Sequence, residues 1–482
     1  MTGTTVIRNA DWLVAWDQAT GSHVYRRDAD IAFADGKVSF IGAGYDGPAD
    51  DEIDGRDRMV MPGLINIHTH AGWEPVRKGM TDEIRSPGFW HSSLYEYLPL
   101  FPLESHETAV CMRVAYAEML KSGCTTIVDF GFPFDGWLDL MGESGLRVVA
   151  APWFFDASYH TKDGHSLTYD WDEEEGRRQF DAGMRAIDLA NQHPSGRLSG
   201  MVAPGQADCC TPETLRDAFD VAEERNLPYQ LHTAESVVEF HEMQRRHGLT
   251  SVGWLEKLGV LGERTILGHA IFLDHHPWLH WTSRRDLDLL AERGVSVAHC
   301  PTVFMRRGIA LNTLGGYLKA GVNMGIGTDT YPHNMLDELR HAGTIARAVA
   351  GTVDDLNTSD VFDAATIGGA KALRRDDIGR LDVGARADLV LVDLKHPAMM
   401  PVREPIRNLI FVANDRAVSD VFVDGHHVVR DGEVLTIDHR AACEELAEVQ
   451  ARALADIPKR DWAGRRADDL MPLVYPISQE PM

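Results

Sequence analysis

Ten residues, Met61 to His70 (MPGLINIHTH), constrain this chain more than any others. Pro62 and Gly63 punctuate the backbone, Leu64 to Ile67 form a short apolar run, and the run ends on two histidines one residue apart. Side chains alternate faces along a strand, so Asn66, His68 and His70 share a face, with both imidazoles at the strand's C-terminal end. That pattern suits a transition metal, for which imidazole is the commonest ligand. Alone it suits surface histidines in a loop as well, because a chain with 22 His produces His-x-His by accident.

The context narrows the choice. From residue 61 to 372, apolar strands alternate with amphipathic helices: after the His-x-His strand come 125–130, 146–151, 198–203, 229–232, 265–269, 295–299 and 322–328. Thr211 and Pro212 mark a helix start as N-cap and first residue, and a helix preceded by Ser283 stops at Gly294. This succession predicts an α/β fold, a TIM (β/α)8 barrel, which gathers the strands' C-terminal ends on one functional face. Short strands are expected on both sides of it, at 5–7, 12–15, 29–33, 37–41 and 59–61, and again at 388–393, 408–412, 418–423 and 427–430. Neither group buries a core alone, so together they predict a small composite β-sandwich formed from both chain ends, 1–60 and 373–435. The barrel, 61–372, is inserted between them, and 436–482 follows as a helical, then irregular tail.

Polar residues fall where such a barrel needs them. The fifth predicted strand runs into His232 and Glu235, the sixth ends on His269, the seventh on His299 and the eighth on Asp329. A single histidine closing a buried strand is an ordinary core residue. Five strand ends that all close on ligand-type residues converge on one cavity.

PGLINIHTH, LHTAE, LGHA and GIGTD, in this order, resemble the amidohydrolase superfamily, in the branch of the cytosine, guanine and adenosine-type deaminases and the triazine hydrolases. GRLDVGARADLVLVDL and VSDVFVDGHHVVRDGEVL resemble the C-terminal part of that family's composite sandwich, so the likeness covers roughly residues 1 to 435. The resemblance implies that His68, His70, His232 and Asp329 bind one divalent metal ion per subunit, Zn²⁺ or alternatively Fe²⁺. It gives Glu235 the general acid/base role, with His269 and Asp329 orienting a metal-activated water. No strand end carries a lysine that would bridge a second metal.

Departures from the family pattern bear on the substrate. Pro204-Gly205-Gln206 stands where ring-amine deaminases show Pro-His, and 299–305 (HCPTVFM) is bulkier and more apolar than expected. Trp73, Trp90, His299, His333 and Asn334 are candidate substrate contacts, and the aromatic segment 272–281 is read as a lid or a subunit contact. The first reading is therefore hydrolysis of an amide, urea or carbamate-type C–N bond in a fairly apolar small molecule. The second is deamination or dehalogenation of an N-heteroaromatic ring, and the third a barrel that binds a ligand without turnover. A net charge of −26 argues against nucleic acid and anionic membrane as partners. The opening residues lack a signal-peptide pattern, so a cytoplasmic protein is expected, and the resemblance implies a homo-oligomer. The six cysteines follow no zinc-finger spacing and read as small buried hydrophobes.

Overall fold

The computed structural model describes residues 3–477. Both chain ends contribute to one seven-stranded sheet, ordered Glu433–Val434, His426–Arg430, Val418–Val423, Leu389–Asp393, Arg58–Pro62, Trp12–Asp17, Ser22–Arg26. A four-stranded sheet, Lys37–Gly42, Ala29–Ala34, Thr5–Ala10 and Asp51–Asp54, packs near it through Ile7, Leu13, Phe33, Leu389 and Phe422, all buried. The antiparallel register Val60↔Leu391 is the seam between the N-terminal and C-terminal contributions.

That seam leads directly to the histidines. Arg58–Pro62 continues through Gly63 into Leu64–Thr69, the first of eight parallel strands. A Cβ on Gly63 would lie 2.0 Å from Thr125 Oγ1, so only glycine lets the chain pass beside the second strand, Cys124–Gly131. The strands form two parallel runs: Leu64–Thr69, Cys124–Gly131, Arg147–Phe154 and Leu198–Gly200, then Tyr229–Thr233, Thr265–His269, Ser296–His299 and Asn323–Ile326. Single bridges join the runs at both margins, Val202↔Tyr229 and Gln206↔His232 on one side and Thr69↔Asp329 on the other. Most residues of these strands are buried, as parallel strands covered on both faces require.

The helices follow their caps. Thr211 Oγ1 accepts from Thr214 N at 3.2 Å at the start of Pro212–Glu224, and Gly294, at φ 68°, closes Asp286–Arg293. Ser283 is not that helix's cap; its hydroxyl donates to Asp274 instead. The tail helix His439–Arg460 lays Leu446, Val449 and Ala453 against Val110 and Val114 of Ser105–Lys121, and Arg452 pairs with Glu107.

Several expectations need correction. The segment expected as a strand at 408–412 is helical, because Glu404 caps a turn that starts at Pro405, and an apolar run alone does not separate a buried helix from a strand. Ser22–Arg26 and Asp51–Asp54 are strands without apolar runs, at sheet edges where alternation is weak. A hairpin of Ala157–Thr161 and Leu167–Trp171, which was not expected, follows the third parallel strand. Cys443 is exposed, whereas the other five cysteines are buried.

Candidate active site

His68, His70, His232 and Asp329 come together at the C-terminal ends of the first, fifth and eighth strands. Their ligand atoms all lie within 4.8 Å of one another, and all four residues are buried. Asp329 Oδ1 is 3.0 Å from His70 Nε2 and 3.5 Å from His68 Nε2, and the Nε2 atoms of His70 and His232 are 3.3 Å apart. The outer ring nitrogens explain this convergence. His68 Nδ1 donates to Gln230 Oε1 at 2.7 Å, and His232 Nδ1 donates to the Gly205 carbonyl at 2.7 Å. With the proton committed outward, each Nε2 carries its lone pair inward, the tautomer a metal needs. Gln230 Nε2 in turn donates to the Ile67 carbonyl at 3.0 Å, so the amide cannot rotate freely. Burial and the neighbouring imidazoles hold His232 well below its ordinary pKa, and a neutral imidazole is the ligand form. Burial pushes Asp329 upward, but His269, His68 and His70 outweigh it and keep the carboxylate ionised. Three imidazole nitrogens and one carboxylate, buried and converging, fit a divalent metal.

The backbone at these strand ends is strained and pinned. Asp329 (φ 59°), His269 (φ 80°) and Ala234 (φ 54°) occupy the left-handed region, which costs a non-glycine residue on the order of 1–3 kcal/mol. Asp329 N donates to the His68 carbonyl at 2.9 Å, and His70 N donates to the Asp329 carbonyl at 3.1 Å. Ala234 and Glu235 are gripped by one carboxylate, since Glu239 Oε1 accepts from Ala234 N at 2.7 Å and Oε2 from Glu235 N at 2.8 Å. The Glu235 carboxyl is thereby aimed into the cavity that holds the metal group. Burial, reinforced by Asp329 and Glu239, raises its pKa well above the usual carboxylate range. The His269 ring meets that of His68 edge to face, centroids 4.9 Å apart, and neither of its ring nitrogens has a hydrogen-bond partner among the described residues. Burial lowers its pKa to about 3, which leaves it neutral.

The cavity has a volume of about 720 Å³, and Trp73, Phe132, Trp153 and Tyr97 give it aromatic walls. Among the candidate substrate contacts, Trp73 lines it, 5.2 Å from Trp153 ring to ring. The others do not. Trp90 is 46% exposed and packs on His241, and His299 is buried away from the cavity, where burial lowers its pKa to about 4. His333 is wholly buried against Glu118, and Asn334 caps the helix Met335–Ala350 by accepting from Leu336 N and Asp337 N. Residues 272–281 are not among those that line the cavity. Conversely, Phe132, Trp153, Gln230 and Glu239 were not foreseen. Gln230 was legible, lying two residues before His232 on the same strand face; Trp153 lies just beyond the predicted third strand, where aromatic residues read as core.

A family model described as the amidohydrolase family matches residues 59–428. A 5'-deoxyadenosine deaminase from Methanosarcina mazei is 28% identical over 94% of this chain and 99% of its own. A 5-methylthioadenosine/S-adenosylhomocysteine deaminase from Desulforudis audaxviator is 30% identical over 89% of this chain and 95% of its own. Among solved structures, an adenosine deaminase from Xanthomonas campestris with bound zinc superposes with a TM-score of 0.78 at 24% identity, covering 93% of this chain and 98% of that one. The atrazine chlorohydrolase of Arthrobacter aurescens, complexed with zinc, gives 0.77 at 22% identity over 92% and 100%. With a family match that runs from the strand before the paired histidines into the strand His426–Arg430 of the seven-stranded sheet, the chain belongs to the amidohydrolase family.

Proposed function

We propose that this protein is a metal-dependent hydrolase that deaminates an amino-substituted N-heteroaromatic ring. The observation that carries the reading is Glu235, a buried carboxyl that lines the same aromatic-walled cavity as His70, His232 and Asp329 of the metal group. The curated relatives, named as deaminases of adenine nucleosides, favour ring deamination over the amide or urea hydrolysis put first from sequence. The eight strands are read as a closed (β/α)8 barrel, supported by the marginal bridges, with 61–372 as barrel, 1–60 and 373–435 as sandwich and 436–482 as tail. One Zn²⁺ per subunit is the assigned metal, with Fe²⁺ the alternative for the same donors. A cytoplasmic homo-oligomer acting on a small molecule completes the reading.

When bound, the metal supplies Lewis acidity that makes water a nucleophile near neutral pH. The chain's own groups do the rest. Trp153 and Trp73 stack a planar ring and exclude bulk water from it. His269, neutral and unbonded, donates from one ring nitrogen to orient the oxygen nucleophile. Asp329, ionised, accepts a proton-bearing partner beside it. Glu235 holds a proton at its carboxyl and delivers it to the ring nitrogen as the C–O bond forms. It then takes the proton left on that oxygen and passes it to the amine as the C–N bond breaks, so that ammonia leaves, the ring keeps a carbonyl, and the next water re-protonates Glu235.

Ammonia release from 5'-deoxyadenosine and other amino-heteroaromatic compounds, set beside acyclic amides and ureas, tests the reading. Turnover confined to the acyclic compounds overturns it. In Glu235→Gln the metal content stays near one per chain while the rate drops about 10²–10⁴-fold, the usual worth of a general acid/base. An unchanged rate removes Glu235 from the mechanism.

A further inference from the structure

Two arginines in the cavity wall have no role in the reaction described above. Arg77, 3% exposed, donates through Nη1 to Glu74, and its buried Nε has no partner among the described residues. Arg307 makes no ion pair among the described residues, and its Nε is also buried without an acceptor. Their guanidinium carbons lie 4.9 and 5.1 Å from the centre of the Tyr97 ring, and both residues line the cavity together with His70, His232, Glu235 and Asp329.

The charges do not cancel. Glu74 is paired with Arg77, Asp329 belongs to the metal group, and Glu235 makes no ion pair with either arginine among the described residues. Arg307 is therefore a half-buried cation whose Nε is enclosed, bonded to the Tyr97 hydroxyl and paired with no carboxylate among the described residues. Arginine does not lose its proton in proteins, so it cannot escape that cost by neutralising. The face of Tyr97 offsets only part of it. The remaining carboxylates in the wall, Asp156, Asp170, Asp172 and Glu175, follow the third strand, whereas the arginines follow the first and seventh. The cavity is thus polarised, acidic on the hairpin side and basic around Tyr97.

Resting on the proposed function of this cavity, we infer that Arg307, backed by Arg77, docks an anionic group of the substrate, a carboxylate or a phosphate. The substrate class becomes an amino-heteroaromatic ring carrying such a group on a tail. The ring lies against Trp153 beside the metal group, and the tail points toward Tyr97. The planar guanidinium fork suits both anions, because its parallel N–H groups meet two oxygens at once.

Calorimetric titration of zinc-loaded protein with benzoate, phenyl phosphate and the neutral benzamide, at fixed ionic strength, tests this without turnover. Benzoate or phenyl phosphate should bind at least about tenfold more tightly than benzamide, as expected for charge-assisted bonds. The tighter of the two names the anion. Arg307→Met should remove that advantage and leave benzamide unchanged, whereas an anion held by zinc alone would bind the variant as well as wild type and overturn the inference. Arg307→Gln repeats the comparison with a polar side chain should the Met variant fold poorly. Anion discrimination lost in the variants, without ammonia from any ring amine, keeps this site and removes the deaminase reading. Ammonia release with unchanged anion affinity does the reverse.

Discussion

At the scale of single residues, the site is governed by where protons are parked. His68 is a useful inward donor because Gln230 takes the proton on Nδ1, and Gln230 is fixed because Ile67 takes its own. Replacing Gln230 with Leu frees the His68 ring to rotate and to adopt the wrong tautomer. Loss of such an outer partner typically costs about 10–100-fold in metal affinity. Competition against a chelator should show that loss in Gln230→Leu, and an unchanged affinity would mean that packing alone orients His68. The same logic separates what the sequence disclosed from what it hid. His68, His70, His232 and Asp329 were legible because each closes an apolar strand, and strand ends have a defined direction. His333 and Asn334 are candidate substrate contacts only by their place on the loop after the eighth strand. Yet His333 is buried against Glu118 and Asn334 spends its side chain on a helix cap, outcomes set by loop geometry that no local pattern encodes.

At the scale of elements, the helix Ser105–Lys121 connects the loop after the first strand to the loop after the eighth. Its Glu118 pairs with Lys78, and Glu118 Oε2 lies 3.8 Å from His333 Nδ1. Burial acts to raise the pKa of Glu118, but His333 and Lys78 outweigh it and hold the value at about 2, against 4.5 for an unperturbed carboxyl. A carboxylate with a depressed folded pKa stabilises the protein fully above its unfolded value and loses that contribution as pH falls through the folded one. The stability advantage of wild type over Glu118→Gln should therefore be flat above pH 4.5 and decline from there toward about 2, read by urea unfolding across that range. A difference independent of pH would assign the effect to packing. The elements themselves were readable where periodicity was strong, as in the eight buried strands. They were not readable at 405–413, where a cap decided the conformation, or at Ser22–Arg26 and Asp51–Asp54, whose polar residues carry no alternation.

At the scale of the whole molecule, the metal group is the meeting point of chain segments far apart in sequence. His68 and His70 come from one parallel run and His232 and Asp329 from the other, with His68 and Asp329 joined through backbone bonds. A bound ion cross-links both runs and stabilises only the folded arrangement. Dialysis against a chelator should lower the thermal midpoint, and added Zn²⁺ should restore it together with activity. An unchanged midpoint would show that the four side chains are held by the fold alone. The acidic character of the chain, net −26, does not extend to the inner cavity around Tyr97, where the arginines lie.

The strand Arg58–Pro62, which carries straight on to His68, is flanked in its sheet by Trp12–Asp17 and Leu389–Asp393. During synthesis the first neighbour is available almost at once, but the second leaves the ribosome only after all eight parallel strands have been made. Domains that fold as they emerge can settle early; here the seam beneath the first two histidines is completed near the end of translation. A nascent chain paused before Leu389 therefore exposes Val60 and Met61 to chaperones, and cellular quality control has a direct signal, an open sheet edge, that distinguishes unfinished copies from finished ones.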